Sequence, residues 1–222
     1  MVQLIQRSDR KRHADALRSS SRLTQTYYRM YRPGRSMITP QEIIAVLNDA
    51  GIGFVLMGTH GVGGWMAEAR ATDDVDFLVQ KRDHRKAVRA VRRAFPKLKV
   101  KEQKMVTRFV DPSSKIVVVD LMKPLERFYL EVFENSVPAG RTHQVPDLEM
   151  ALVCKFAAMV SPHRIGKKKA RDISDFMDIV DENREIIDLE KTRRLANIVC
   201  SGGGDRIEFF IEEAKVGRIP KV

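Results

Sequence analysis

Apolar residues follow two rhythms along this chain. Between residues 37 and 145 short apolar runs alternate with helical stripes, and from Pro146 onward only the helical period remains. Thr39-Pro40-Gln41-Glu42 reads as a capping box with proline at the first helical position. Ile43, Ile44 and Leu47 supply its buried stripe and Gly51 the stop. Phe54–Met57 predicts a short strand. His60 to Ala69 fits a helix whose glycines allow close approach, and Thr72 to Gln80 predicts a second strand. Asp83 caps a helix in which Ala87, Val88, Val91, Ala94 and Phe95 recur at helical spacing. Strands are expected over 97–103, 105–110 and 115–121, with Asp111-Pro112-Ser113-Ser114 as a hairpin turn, and shorter ones near 128–133 and 141–145.

Beyond Pro146, Asp147 caps a helix running to about Val160. Arg171–Asp181 forms another, and helices near 190–199 and 206–216 follow, joined by Ser201-Gly202-Gly203-Gly204 as a flexible link. The chain therefore divides into an N-terminal arm (1–36), a core of strands and helices (37–145) and a helical C-terminal region (146–222), an α+β organisation.

Composition narrows the setting. The 222 residues are 43% apolar, enough for a buried core, and no uninterrupted apolar run reaches the ~18 residues of a membrane span. The absence of a secretory segment predicts a cytoplasmic protein with no membrane partner, although the Arg-rich, Ser-containing start also matches an organelle transit peptide. Cys154 and Cys200 lack metal-ligand spacing, and Cys154 is expected to be a buried thiol. The net charge is +11, of which residues 1–36 hold +7: nine Arg/Lys against Asp9 and Asp15. An Arg-rich arm with Tyr27, Tyr28 and Tyr31 suits a phosphate backbone with base stacking, and equally a solvated or partner-bound helix.

The candidate chemistry begins at Asp74-Val75-Asp76. Two acids one residue apart on a strand share a face, while Val75, Phe77 and Val79 take the other, so a divalent cation is the first expectation. Asp73 is expected to point away. Gly58-Thr59, after the preceding apolar run, offers backbone N–H groups and a hydroxyl to an anion, and His60 follows as a helix-start or phosphate-side residue. Asp120 ends an apolar strand row with Ile116 and Val118. If its hairpin lies beside the Asp-x-Asp strand, three acids converge and can hold two Mg2+ for an in-line displacement at phosphorus. Lys155 is the lone charge of an apolar helix and needs an acidic partner or a bound anion. Asp172 or Asp175 would position it, or the two would cap Lys167, Lys168 and Lys169 locally. The spacing of Gly58, Gly61 and Gly63 does not fit a dinucleotide fingerprint, and no nucleophile triad is present.

Residues from about 38 to 180 resemble the nucleotidyltransferase superfamily, most closely its AbiEii-type and related toxin members. Gly58-Thr59 followed by Asp74-Val75-Asp76 matches the first motif, Asp120 the third strand acid, and Lys155 with Arg171-Asp172-Ile173-Ser174-Asp175 the helical signature. Two departures stand out: Thr59 replaces the usual Gly or Ser, and Arg171 the usual lysine, with Lys169 two residues earlier. The resemblance implies a mixed β-sheet flanked by helices and then a helical subdomain. It implies transfer of a nucleoside monophosphate from an NTP such as ATP to an acceptor. Mg2+, two ions, or Mn2+ in their stead, would lie on Asp74, Asp76 and Asp120, and Asp120 would also take the acceptor's proton. Gly58 and Thr59 would hold the β/γ-phosphates, and Lys155 with Lys169 or Arg171 would neutralise phosphate charge, Asp172 beside them. Arg70 would assist or pair with a surface acid. RNA or tRNA is the acceptor favoured by the basic arm, with an antitoxin protein as possible partner. The alternatives are a catalytically silent module of this fold and a small-molecule enzyme of the aminoglycoside type.

Overall fold

The computed structural model describes residues 7–32 and 37–222. The fold is α+β, a mixed seven-stranded sheet flanked by helices, with a helical region after it. Two compact units divide it: one comprises the described residues up to Gly64 with Glu68–Val145, the other Trp65–Ala67 with Pro146–Val222.

In the first unit, β1 (Phe54–Leu56) pairs antiparallel with β2 (Val75–Val79), which runs parallel to β5 (Val117–Met122). β3 (Lys99–Glu102) and β4 (Val106–Val110) extend the sheet antiparallel beyond β5. β6 (Ser136–Ala139) and β7 (His143–Pro146) lie beyond β1, giving the order β3-β4-β5-β2-β1-β7-β6. β1 is apolar on both faces, and β2 at every position but Asp76, as buried central strands are. Phe54 meets Phe77 edge-on at 5.4 Å between ring centroids. Helix α2 (Pro40–Asp49) carries the capping box, with both reciprocal hydrogen bonds between Thr39 and Glu42 formed, and buries Ile43, Ile44 and Leu47. Helix α4 (His84–Ala94) buries Ala87, Ala90 and Val91; Asp83 occupies its cap position without a side-chain bond to the helix.

Four expectations give way. The strand near 128–133 is helix α5 (Arg127–Glu134): Phe128, Tyr129, Val132 and Phe133 face inward while Leu130 and Glu134 are exposed, a helical period that overrides aromatic β-propensity. The helix over 60–69 stops early, as α3 (Gly58–Val62) followed by one 3-10 turn, Gly63–Trp65. β2 starts at Val75, three residues later than its pattern predicts, because the segment before it bonds to the N-terminal helix. That helix, α1 (Arg7–Tyr31), is no free arm. His13, Leu17, Ser20, Ser21, Thr24 and Tyr28 recur at spacings of three and four and are buried. Tyr28 is thereby closed to base stacking, whereas Tyr27 and Tyr31 stay exposed, and Arg32 lies 5.4 and 5.3 Å from the rings of Tyr27 and Tyr28.

Histidines held neutral by burial make this unit acid-sensitive: His13 and His60 most deeply, with His143, also lowered to about 4, and His84 adding to the effect. The ring of His13 lies against Gly64, where an added Cβ would come within 2.1 Å of Nδ1, and burial, with His143 and Arg12 nearby, lowers its pKa from 6.5 to about 4. His60 is lowered from 6.5 to about 4, again by burial; Asp74 pulls the other way and Arg70 adds to the shift. Both are neutral when folded and protonate near 6.5 when unfolded. Their contribution is complete above pH 6.5 and is lost as pH falls towards 4, at about 1.4 kcal/mol per unit for each. Denaturant unfolding followed by far-UV circular dichroism should show that decline, and a His13→Gln/His60→Gln variant should flatten it.

In the second unit, α6 (Leu148–Val160) is apolar on nearly every side and buried accordingly; Asp147 caps it by accepting from the Met150 N–H at 3.0 Å. Around it pack α7 (Gly166–Glu182), which begins five residues before its expected start at Arg171, α8 (Leu189–Val199) and α9 (Gly203–Lys215). The glycine run is a packing device and not a slack link: an added Cβ at Gly203 would lie 2.1 Å from the Ala196 carbonyl oxygen. Phe156 and Phe176 both meet Phe210 edge-on, at 5.9 and 6.5 Å. Cys154 is partly covered, and desolvation pushes its thiol up to about 12. Among the described residues no helix is long and apolar enough to cross a membrane.

Candidate active site

The centre of the site is a register. In the parallel pair β2–β5, Asp76 stands directly opposite Asp120, so both carboxylates project from one face of the sheet. Across β5, Arg108 of β4 is the partner of Asp120 in turn, with Nε 3.5 Å from Oδ2; the side chains are 40% and 14% exposed. On the other side the chain leaves β1 through Met57, whose N–H donates to the Asp76 carbonyl at 2.8 Å, and enters Gly58. Gly58 has φ +60, and an added Cβ would lie 2.1 Å from Asp76 Oδ2. Backbone conformation and space thus both demand glycine here. Gly58→Ala should cost at least about 1–2 kcal/mol from the left-handed backbone alone and displace the Asp76 carboxylate as well. Calorimetric melting checks the first effect, and the second appears as loss of whatever Asp76 binds.

Asp74 sits just ahead of β2 and accepts from the Thr72 hydroxyl at 2.8 Å. Its charge also acts on the buried His60, opposing the effect of burial on that ring. Asp73 turns the other way, to Arg32, with contacts of 3.2 and 3.4 Å. Helix α1 fixes this approach: Ser20 Oγ donates to the Arg70 carbonyl at 2.6 Å, and Thr24 Oγ1 accepts from the Thr72 N–H at 3.1 Å. Thr59 and Gly58 are half-buried. Arg108 and Thr72 escaped the sequence reading. The signal for Arg108 was a lone base in the alternation of Val106–Val110, and for Thr72 a hydroxyl two residues before an acid.

Asp76 and Asp120 present hard oxygen donors side by side, the chemistry a divalent ion such as Mg2+ takes. Asp74 is not gathered with them into a ready cage. Among the described residues no group of three or more His, Cys, Asp or Glu side chains is arranged to hold a metal ion.

In the helical unit, Lys155 is buried between two acids of α7. Its Nζ lies 3.1 Å from Asp172 Oδ1 and 2.5 Å from Asp175 Oδ2, and Arg164 Nε reaches Asp172 Oδ2 at 2.7 Å. Both acids engage the lysine, and all three side chains are less than a tenth exposed. Lys169 is half-buried and Arg171 exposed along the same helix. A second knot joins α6 to α8: Lys191 Nζ contacts Asp147 at 2.6 Å and Glu149 at 3.1 Å.

No family model and no curated protein matches the chain. Among solved structures it is similar to an antigenic nucleotidyltransferase-like protein from Paracoccidioides brasiliensis, at 16% identity over 84% of this chain and 97% of that one, with a TM-score of 0.43. It is also similar to terminal uridylyl transferase 4 from Trypanosoma brucei with bound GTP, at 10% identity over 78% and 74% of the chains, with a TM-score of 0.28. Likenesses this loose transfer no residue roles, and the site stands on its own geometry.

Proposed function

We propose that the chain is a divalent-metal-dependent nucleotidyltransferase that moves an NMP from an NTP to an acceptor, releasing pyrophosphate. The observation that carries this reading is the Asp76–Asp120 register with glycine pressed against Asp76. Asp76 and Asp120 would hold Mg2+, joined by Asp74 once it exchanges its bond to Thr72. The ion would supply Lewis acidity and offset the repulsion between the carboxylates. Gly58 lets the Asp76 carboxylate lie against the backbone, and the N–H groups and hydroxyl of Gly58-Thr59 would serve as donors to the β/γ-phosphates. Asp120 is the group suited to take the acceptor's hydroxyl proton. In the helical unit Lys155 and Asp172 use their charges on each other and so position α7, on which Lys169 and Arg171 are the cations suited to phosphate. RNA or tRNA is the acceptor that the net charge of +11 favours, in the manner of the toxin-like enzymes the sequence resembles, which brings an acidic antitoxin within the same proposal.

A second reading has one observation in its favour: Arg108 already pairs with Asp120. A catalytically silent module would keep that pair where an enzyme must open it. Incubation with each α-labelled NTP, Mg2+ and total RNA separates the two. Label on RNA that disappears in Asp74→Ala/Asp76→Ala supports the enzyme. No label on RNA, protein or small molecules with any NTP leaves the silent module.

A further inference from the structure

The strongest concentration of charge lies outside α1. Residues 81–104 hold eleven Lys and Arg against Asp83 and Glu102, a net +9, and all eleven bases are exposed. The fold gathers those of α4 on one surface. On α4, Arg85, Arg89 and Arg92 follow i, i+4, i+7 and form a single line, with Lys86 and Arg93 as the adjacent row; the opposite side buries Ala87, Ala90 and Val91. The chain then enters β3, the outermost strand of the sheet, whose four positions are all exposed; Lys101 pairs with Arg108, so Lys99 and Lys101 lie on the sheet face of Asp76 and Asp120, and Glu102 on the other. Glu102, bonded to Lys123 at 3.1 Å, also feels Arg85, so the first turn of α4 lies on the Glu102 side of β3, away from Lys99 and Lys101. Among the described residues none of the five bases of α4 makes an ion pair; the pairs within the segment are Arg82–Asp83 and Glu102–Lys123.

The chemistry of this surface selects its partner. Four of the five bases on α4 are arginines, whose planar forks suit phosphate oxygens better than a point charge does. A protein interface needs aromatic or aliphatic anchors, and α4 exposes none. A membrane-surface helix must bury its apolar side in lipid, and that side of α4 is already buried against the protein. We propose that α4 forms the main binding face for the phosphodiester backbone of RNA, engaged by charge and not by sequence.

The choice of RNA rests on the acceptor reading above, but binding needs neither nucleotide nor metal, so the two can fail separately. Fluorescence anisotropy with a short labelled oligoribonucleotide, across a salt series, is the test. Arg85→Ala/Arg89→Ala/Arg92→Ala, exposed changes on a helix anchored from its other side, should weaken binding at least tenfold and reduce the slope of log K against log salt by about 2, at ~0.7 per lost contact. The matching triple on α1, Arg18→Ala/Arg22→Ala/Arg29→Ala, should have the smaller effect. An unchanged affinity and slope in the α4 variant, or the full loss in the α1 variant, overturns the assignment. So does displacement of the RNA by polyglutamate at equal charge concentration, which would point to an acidic protein. Binding that persists in a chain without transfer activity sinks the enzymatic reading alone.

Discussion

Replacing Lys155 with methionine is expected to destabilise the helical unit by about 3–5 kcal/mol. The lysine head sits between Asp172 and Asp175, and their side chains are 4% and 2% exposed. Methionine fills a similar volume, so the loss reports charge and not a cavity. What remains is two carboxylates three residues apart on α7, out of water, with Arg164 at 2.7 Å from Asp172. They must either stay charged and repel or take up a proton. The variant should therefore recover part of its stability as pH falls and the carboxyls protonate. Trp65, the chain's one tryptophan, donates from its indole to the Pro146 carbonyl, and its own carbonyl accepts from Asn183, so its fluorescence reports this unit. Denaturant unfolding read that way should also show that Lys155→Met/Asp172→Asn/Asp175→Asn regains much of the loss, because no buried charge is then left unpaired and Arg164, 42% exposed, keeps its access to water. A cost below about 1 kcal/mol for the single variant would mean that water reaches the site.

Asp76→Asn and Asp120→Asn should each lower transfer roughly a thousand-fold or more, the scale on which removing a preorganised charge-stabilising group acts. Asparagine preserves shape: it fits against Gly58 as aspartate does and keeps the register with the neighbouring strand. Melting temperature should stay close to that of the parent chain while label transfer collapses. The two variants should differ in one respect. Asp120→Asn also releases Arg108, which leaves a cation beside the site, so NTP binding should weaken less than in Asp76→Asn. Transfer retained above a tenth in Asp76→Asn would contradict the role given to this acid.

Local chemistry explains what could be read in advance. The capping box at Thr39 and Glu42 and the cap at Asp147 depend on residues within one turn, so sequence alone identifies them. The strands that carry Asp76 and Asp120 announce themselves by apolar runs, and Lys155 by being one charge in such a run. Features set by distant partners stayed hidden. Arg108 pairs with Asp120 only because β4 and β5 take a particular register. α1 docks largely through Ser20, Ser21 and Thr24, polar residues that leave no apolar stripe to find, so its charge dominated the reading. The charge of residues 81–104, +9, exceeds the +7 of the first 36 residues, but it is spread over a helix, a turn and a strand. Phe128 to Phe133 misled through composition, since aromatic and branched residues in a short run suit either element until one face is buried.

The grip of α1 on the stretch before β2 changes what a truncation means. Ser20 and Thr24 bond to the backbone at Arg70 and Thr72, Arg32 to Asp73, and Thr72 in turn to Asp74. Trimming the N-terminal residues to isolate a minimal catalytic core would remove the wall against which that core's first acid is set. An inactive trimmed protein would then say nothing about substrate recognition by the removed residues. If the chain transfers nucleotides as proposed, its smallest working form includes a helix that holds the approach to β2 without carrying any of the acids.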